Sequence, residues 1–122
     1  MAHKILLVDD EPLLLKLGVT VLKYAGYDVV TAIDGEDALE QAKESQPDLI
    51  LLDLRLPKLN GFAVFDILQK DETLKKIPVI FATADATVPL AEKVEELHAE
   101  GYLLKPYTSE EMLLKIQTCL GS

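Results

Sequence analysis

One cysteine stands among 122 residues, so Cys119 has no partner for an internal disulfide, and its apolar neighbours make it a packed or tail residue rather than a nucleophile. Histidine is nearly as scarce. Neither His3 nor His98 has a second ligand at metal-binding spacing, which leaves a zinc or other soft-metal site without donors. No apolar run approaches the roughly 20 residues of a membrane span, and Met1-Ala2-His3-Lys4 leads directly into a strand-like segment with no signal-peptide apolar stretch. The expectation is a cytoplasmic protein without a membrane role. Positive charge is also short: 12 Lys and Arg face 21 Asp and Glu, a formal net charge of −9, and no basic cluster offsets it. Phosphate electrostatics therefore argue against direct nucleic-acid binding. Internal repeats, low-complexity tracts and linkers are absent too. A chain of this length is expected to form one domain, residues 1–122, with a core that needs no staples.

What the chain does have is alternation. Five short apolar runs, at 4–8, 28–31, 48–52, 79–82 and 102–104, are separated by stretches of helical period. That pattern predicts an α/β fold, a parallel sheet with helices on both faces. Five such units are too few for a (β/α)₈ barrel and favour an open, doubly wound sheet. The helices carry recognisable ends. Asp10 is the expected cap of the first, with Pro12 in its first turn and Gly26 beyond its end at Ala25. Asp34 or Gly35 opens the second and Asn60 or Gly61 the third; Thr87 opens the fourth and keeps Pro89 in its first turn. Thr108 and Glu111 fit a capping box for the last, whose Met112, Leu113, Ile116 and Leu120 form an apolar face. The polar stretch 70–76 reads as a surface loop.

The chemistry sits where the apolar runs stop. Asp9 and Asp10 follow Ile5-Leu6-Leu7-Val8, Asp53 follows Leu49-Ile50-Leu51-Leu52, Thr83 ends the fourth run and Lys105 the fifth. In doubly wound sheets ligands bind at the carboxyl ends of the strands, which places these five residues on one rim. Carboxylates about 5 Å apart repel by roughly 3 kcal/mol per pair at an effective dielectric near 20, so three together call for a cation. All-oxygen ligation suits Mg²⁺ or Mn²⁺. With a divalent ion, a lysine and a hydroxyl around it, one aspartate is placed to attack a phosphoryl group. Singly, each feature has a plain alternative: a strand end, a helix cap, a satisfied hydroxyl. Lys105 closing an apolar strand is harder to explain away, because it needs an acidic partner or an exit to solvent.

Across its whole length the chain resembles the response-regulator receiver domains of two-component signalling. The resemblance is carried by Leu7-Val8-Asp9-Asp10-Glu11-Pro12, by Pro47-Asp48 through Asp53-Leu54-Arg55-Leu56-Pro57, by Asn60-Gly61, by Ile77-Pro78-Val79-Ile80 with Thr83-Ala84, and by Gly101-Tyr102-Leu103-Leu104-Lys105-Pro106. It implies the flavodoxin-like strand order 2-1-3-4-5. It also implies that Asp53 is the phosphoacceptor, that Asp10 binds Mg²⁺ directly with the Arg55 backbone carbonyl, and that Asp9 is a second acidic member acting mostly through water. Thr83 and Lys105 would contact the phosphoryl group, and Tyr102 would change rotamer with Thr83. The implied donor is a histidine kinase or histidine phosphotransfer domain, and the implied output is altered binding of a partner protein, by a switch more than by an enzyme.

Several positions depart from that pattern or vary within it. Arg55 and Asp85, each two residues past a site residue, are expected to pair across the site mouth and hinder hydrolysis of the aspartyl phosphate. His98 stands where the family usually has glycine, so a left-handed helix end there would be strained. No arginine lies in the last two helices, which removes the charge network by which transcription-factor receivers dimerise and predicts a monomer or weak dimer. The first helix has two apolar stripes, Leu14-Leu17-Gly18-Val21-Ala25 and Leu15-Val19-Leu22. One is read as a docking face for the phosphodonor, with Leu15 as its probe. The rival readings are an interaction module of the same fold that works without phosphorylation, and a flavodoxin-like cofactor carrier or aspartate-based phosphatase. The first strand lacks the former's Ser/Thr/Gly-rich phosphate loop, and Asp53-Leu54-Arg55 lacks the latter's second aspartate.

Overall fold

A computed structural model describes residues 2–121. Each apolar run forms a strand and each periodic stretch a helix: β1 (Lys4–Val8), α1 (Pro12–Tyr24), β2 (Asp28–Ala32), α2 (Gly35–Ser45), β3 (Leu49–Asp53), α3 (Gly61–Gln69), a 3₁₀ turn (Leu74–Lys76), β4 (Val79–Thr83), α4 (Leu90–Leu97), β5 (Gly101–Leu104) and α5 (Ser109–Leu120). The five strands are all parallel, in the order 2-1-3-4-5, as expected.

The central strands are apolar at every position because both faces of the sheet are covered. Strand alternation divides their side chains into two cores. Leu6, Val8, Ile50, Leu52, Val79 and Phe81 face α2, α3 and α4, where Phe62 and Phe65 meet Phe81 edge-on at 5.2 and 5.3 Å. Ile5, Leu7, Leu49, Leu51, Ile80 and Leu103 point the other way, onto α1 and α5.

Local capping follows the sequence at three helices. The Asp34 carboxylate accepts from the Asp37 N–H (2.7 Å), Asn60 accepts from the Ala63 N–H (2.9 Å), and Thr108 and Glu111 complete a reciprocal capping box. Elsewhere the expectations need correction. The N-cap of α1 is Glu11, not Asp10, and no side chain caps it; Pro12 at the first helical position already removes one orphan N–H. Helix α4 starts at Leu90 with Pro89 at its N-cap, because Thr87 is engaged by Asp85 instead: the Asp85 carboxylate accepts from the Thr87 N–H and hydroxyl. The polar stretch 70–76 is not wholly a surface loop. Its Leu74 is buried in the α2–α4 core, and Asp71 turns the chain by accepting from the N–H groups of Thr73 and Leu74. Helix α4 does end in a left-handed residue, His98 at φ 60° and ψ 33°, a conformation that costs a side-chain-bearing residue about 1 kcal/mol.

The two stripes of α1 resolve in favour of one. Leu15 and Leu22 are buried against the sheet, whereas Leu13, Leu14 and Leu17 point to solvent, Leu17 with 59% of its surface exposed. The expectation that Leu15 probes a docking face needs correction: packing makes Leu15 a core residue and moves any docking role to Leu14 and Leu17. A groove of about 320 Å³ runs along that outward face between Leu14, Leu17 and the segment Lys105-Pro106-Tyr107.

Candidate metal centre

Parallel register gathers the acids. Val8 pairs with Leu52 and Asp53 with Ala82, so β1, β3 and β4 finish level and the residues after them share one volume. One oxygen from each of Asp9, Asp10 and Asp53 lies within 4.8 Å of the others. Asp9 and Asp53 are buried; Asp10 is exposed. β5 lies beside β4 and delivers Lys105, whose N–H donates to the Thr83 carbonyl (2.9 Å). Its ammonium reaches back over β4 and bridges Asp9 (2.8 Å) and Asp53 (2.9 Å).

The remaining oxygens of these two carboxylates are also occupied. Asp9 accepts from the Glu11 N–H (3.0 Å) and Asp53 from the Arg55 N–H (3.3 Å), each turning its loop sharply away from the strand. Burial pushes the Asp53 carboxyl above its ordinary pKa, Lys105 opposes that without cancelling it, and Asp9 adds to the rise. Burial also works against the Lys105 ammonium, but hydrogen bonds and charge from Asp9 and Asp53 outweigh it and hold its pKa above the usual lysine value. The cluster is thus under-neutralised: three carboxylates and one ammonium leave a formal charge of −2.

The donor set fits a hard divalent cation. Every available ligand is oxygen, and among the described residues the Asp10 carboxylate makes no hydrogen bond or ion pair, while no N–H donates to the Arg55 carbonyl. Both are free to ligate. A divalent ion would bring the cluster to neutrality, and carboxylate, carbonyl and water oxygens are the ligands Mg²⁺ takes.

A second layer surrounds the cluster. Thr83 is fully buried, and its hydroxyl accepts from the Asp85 N–H (3.1 Å). Arg55, the chain's one arginine and 77% exposed, pairs with Asp85 across the mouth between the β3–α3 and β4–α4 loops. Hydrogen bonds from Thr87 and then Arg55 lower the Asp85 carboxyl to about 2. Tyr102 is half-buried one strand away, opposite Phe81 in register, with the Lys115 ammonium 5.8 Å from its ring centre. The pairing of Arg55 with Asp85 was legible from their opposite charges; the part played by Thr87 was not, because its hydroxyl looked like a helix cap. Gly61 was read only as a helix opener. It also lets α3 approach the end of β3, since a Cβ there would lie 2.6 Å from the Asp53 carbonyl oxygen.

Comparison with known proteins agrees with this geometry. The sequence profile of the response regulator receiver domain matches residues 5–117. The chain is 41% identical over 117 residues to the DNA-binding dual master transcriptional regulator RpaA of Synechocystis, covering 96% of this chain but 48% of that protein. It thus spans about half the length of that relative. Against the polar-differentiation response regulator DivK of Brucella ovis, identity is 35% over 121 residues, 99% of this chain and 98% of the relative. Among solved structures, the receiver domain of sensor histidine kinase PA1611 from Pseudomonas aeruginosa, with magnesium coordinated in its active-site cleft, superposes with a TM-score of 0.89 at 31% identity and full coverage of both chains. The chemotaxis protein CheY4 of Vibrio cholerae does so with a TM-score of 0.88 at 29% identity, over 97% of this chain and 98% of its own. From its strand order, its acidic rim and these relatives, the chain belongs to the response regulator receiver domain family of two-component systems.

Proposed function

We propose that residues 1–122 act as one receiver unit that accepts a phosphoryl group on Asp53 from the phosphohistidine of a histidine kinase or phosphotransfer protein. The observation that carries this reading is the Lys105 ammonium bridging Asp9 and Asp53 beside an uncommitted Asp10 carboxylate. In the reaction an Asp53 carboxylate oxygen attacks phosphorus, the P–N bond to the donor imidazole breaks, and an acyl phosphate forms. Asp9, Asp10, Asp53 and the Arg55 carbonyl would hold Mg²⁺, or Mn²⁺ in its place. When bound, that ion supplies charge neutralisation for the phosphoryl oxygens. Lys105, already beside Asp53, provides the fixed positive charge that a transferred phosphoryl group pairs with. Thr83 lies at the end of the adjacent strand with its hydroxyl tied to the Asp85 N–H, so engaging a phosphoryl oxygen requires it to leave that bond. The resulting shift of the β4–α4 loop, read through Tyr102, would change the affinity of an output partner.

The donor is proposed to dock on α1, through Leu13, Leu14 and Leu17 at the edge of the groove that opens beside Lys105. Two lysines and no acid stand in α1, against a net charge of −9 for the chain, so an acidic helical surface is favoured there. The unit is proposed to work in the cytoplasm, as a monomer or weak dimer, without touching nucleic acid itself.

The test is incubation with acetyl phosphate in the presence of Mg²⁺. Intact-mass measurement should show one phosphoryl group on the parent and none on Asp53→Asn, and chelation of Mg²⁺ should abolish the modification. A chain that takes up no phosphoryl group, or takes it up equally after Asp53→Asn, is instead an interaction module that uses the fold without the chemistry.

A further inference from the structure

The β2–α2 junction gives no side chain to the acidic cluster, yet the Asp9-Asp10 turn and the loop that carries Arg55 both rest on it. On one side the Asp9 N–H donates to the Ala32 carbonyl at the end of β2 (3.1 Å). On the other, the Gly35 N–H donates to the Pro57 carbonyl (3.3 Å), in the loop of residues 54–60 that carries Arg55. The same loop presses directly onto Gly35. A Cβ at that position would lie 2.3 Å from the Leu59 carbonyl oxygen and 2.4 Å from the Leu59 Cβ. Gly35 has no left-handed φ to explain it, so what this position demands is absence of bulk. Lys58, held at φ 69°, places its ammonium 3.5 Å from Asp34 and 3.8 Å from Glu36 and draws the loop to the start of α2.

Neither side of this contact can yield locally. Asp34 caps α2 while the Asp37 carboxylate accepts from the Ile33 N–H (3.2 Å), which fixes the junction. The loop is fixed at its far end by the Gly61 N–H donating to the Leu54 carbonyl (2.9 Å). Between those anchors lie Arg55 and, across a shallow pocket, Asp10. To restore ordinary contact at 3.4 Å, a side chain at residue 35 would have to drive the Leu59 backbone back by about 1 Å. Mg²⁺ demands near-ideal octahedral geometry at about 2.0–2.1 Å, so its ligands tolerate little displacement of that kind.

We infer that Gly35 is a positioning residue for the cation site: its contact with Pro57 and Leu59 sets the distance between the Asp9-Asp10 turn and the Arg55 loop. This rests on the Mg²⁺ reading given above. If Gly35 served packing alone, Gly35→Ala would cost stability but the folded variant would bind Mg²⁺ like the parent.

The experiment is calorimetric titration of the full chain with Mg²⁺, comparing the parent, Gly35→Ala and Gly101→Ala, with circular dichroism to establish folding. Gly101 is the control, since an added Cβ there meets only the flexible Lys115 side chain at 3.4 Å. Folded Gly35→Ala should bind Mg²⁺ roughly tenfold more weakly, as loss of outer-sphere support commonly does, while Gly101→Ala matches the parent. A second measurement needs no variant. Because coupling is reciprocal, saturating Mg²⁺ should slow hydrogen exchange at the Gly35 and Asp9 amides of the parent several-fold. Parent-like affinity in folded Gly35→Ala overturns the inference; if that variant does not fold, unchanged exchange at Gly35 overturns it. A parent that binds no Mg²⁺ overturns the site reading as well, so the two failures are distinct.

Discussion

Asp53 is held in a state that folding alone would not choose. Its carboxyl pKa is raised by burial and by Asp9 despite Lys105, so the folded chain binds a proton there more tightly than the unfolded chain. Stability therefore falls as pH rises from the ordinary value of 3.8 through the folded value. Asp53→Asn keeps an acceptor for Lys105 and removes the charge. Because two carboxylates still face Lys105, it should stabilise the metal-free protein at pH 7, with the gain shrinking toward zero below pH 3.8. Urea unfolding at several pH values would show this, and a destabilised variant at pH 7 would contradict it. Arg55 bears on the product instead. Paired with Asp85 at the mouth, it narrows the path for an attacking water, so Arg55→Ala should shorten the lifetime of the phosphorylated form. Following loss of the phosphoryl group after removal of donor gives that lifetime directly; an unchanged or longer one would exclude gating.

At the scale of elements, the sequence was most legible where chemistry and secondary structure coincide. The three acids could be placed because each ends a buried apolar run, and a parallel sheet brings such ends together whatever the loops do. Capping residues were legible when the side chain had a single use, as with Asp34, Asn60 and Thr108. Thr87 and Asp10 were misread because each has a competing role: Thr87 serves the Asp85 turn, and Asp10 stands free toward solvent beside its acidic neighbours. The orientation of α1 was not legible at all. Its apolar residues cover more than half the helix surface, so periodicity could not say which stripe meets the sheet. Packing settles it and yields a paired prediction. Leu17→Glu adds a charge on an exposed face and should leave the unfolding temperature near the parent's while slowing phosphotransfer from a cognate donor at least tenfold, about 1.4 kcal/mol. Acetyl phosphate labelling should be unaffected. Leu15→Glu buries a charge and should unfold the protein or destabilise it by several kcal/mol. Equal loss of donor and small-molecule phosphorylation in Leu17→Glu would remove α1 from recognition.

For the whole molecule, the decisive property is a concentrated charge imbalance that the fold maintains. The formal charge of −9 belongs to the whole chain, but the −2 at the strand ends is bordered by two cores, the Arg55–Asp85 pair and the β2–α2 junction, with Asp10 open to solvent. No single run of sequence reveals that border, because its contacts join residues 9 to 32, 35 to 57–59 and 55 to 85. A ligand that binds only the folded form stabilises it by mass action, about 2.7 kcal/mol at a hundredfold excess over Kd. In a chain of this size that corresponds to roughly 8–10 °C in Tm. Mg²⁺ should therefore raise Tm at pH 7 and do so progressively with concentration. Protons compete for the same carboxylates, and Asp53 takes its proton above the ordinary range, so the increment should diminish as pH falls through the folded pKa of Asp53. Asp53→Asn should start higher in Tm and gain much less from Mg²⁺, so that the two melting curves converge or cross as the ion is added. Thermal scans of both proteins across a Mg²⁺ series, with Na⁺ matched for ionic strength, test this. Parallel curves for the two proteins would mean that the ion screens the general acidic surface rather than occupying the site that Asp53 completes.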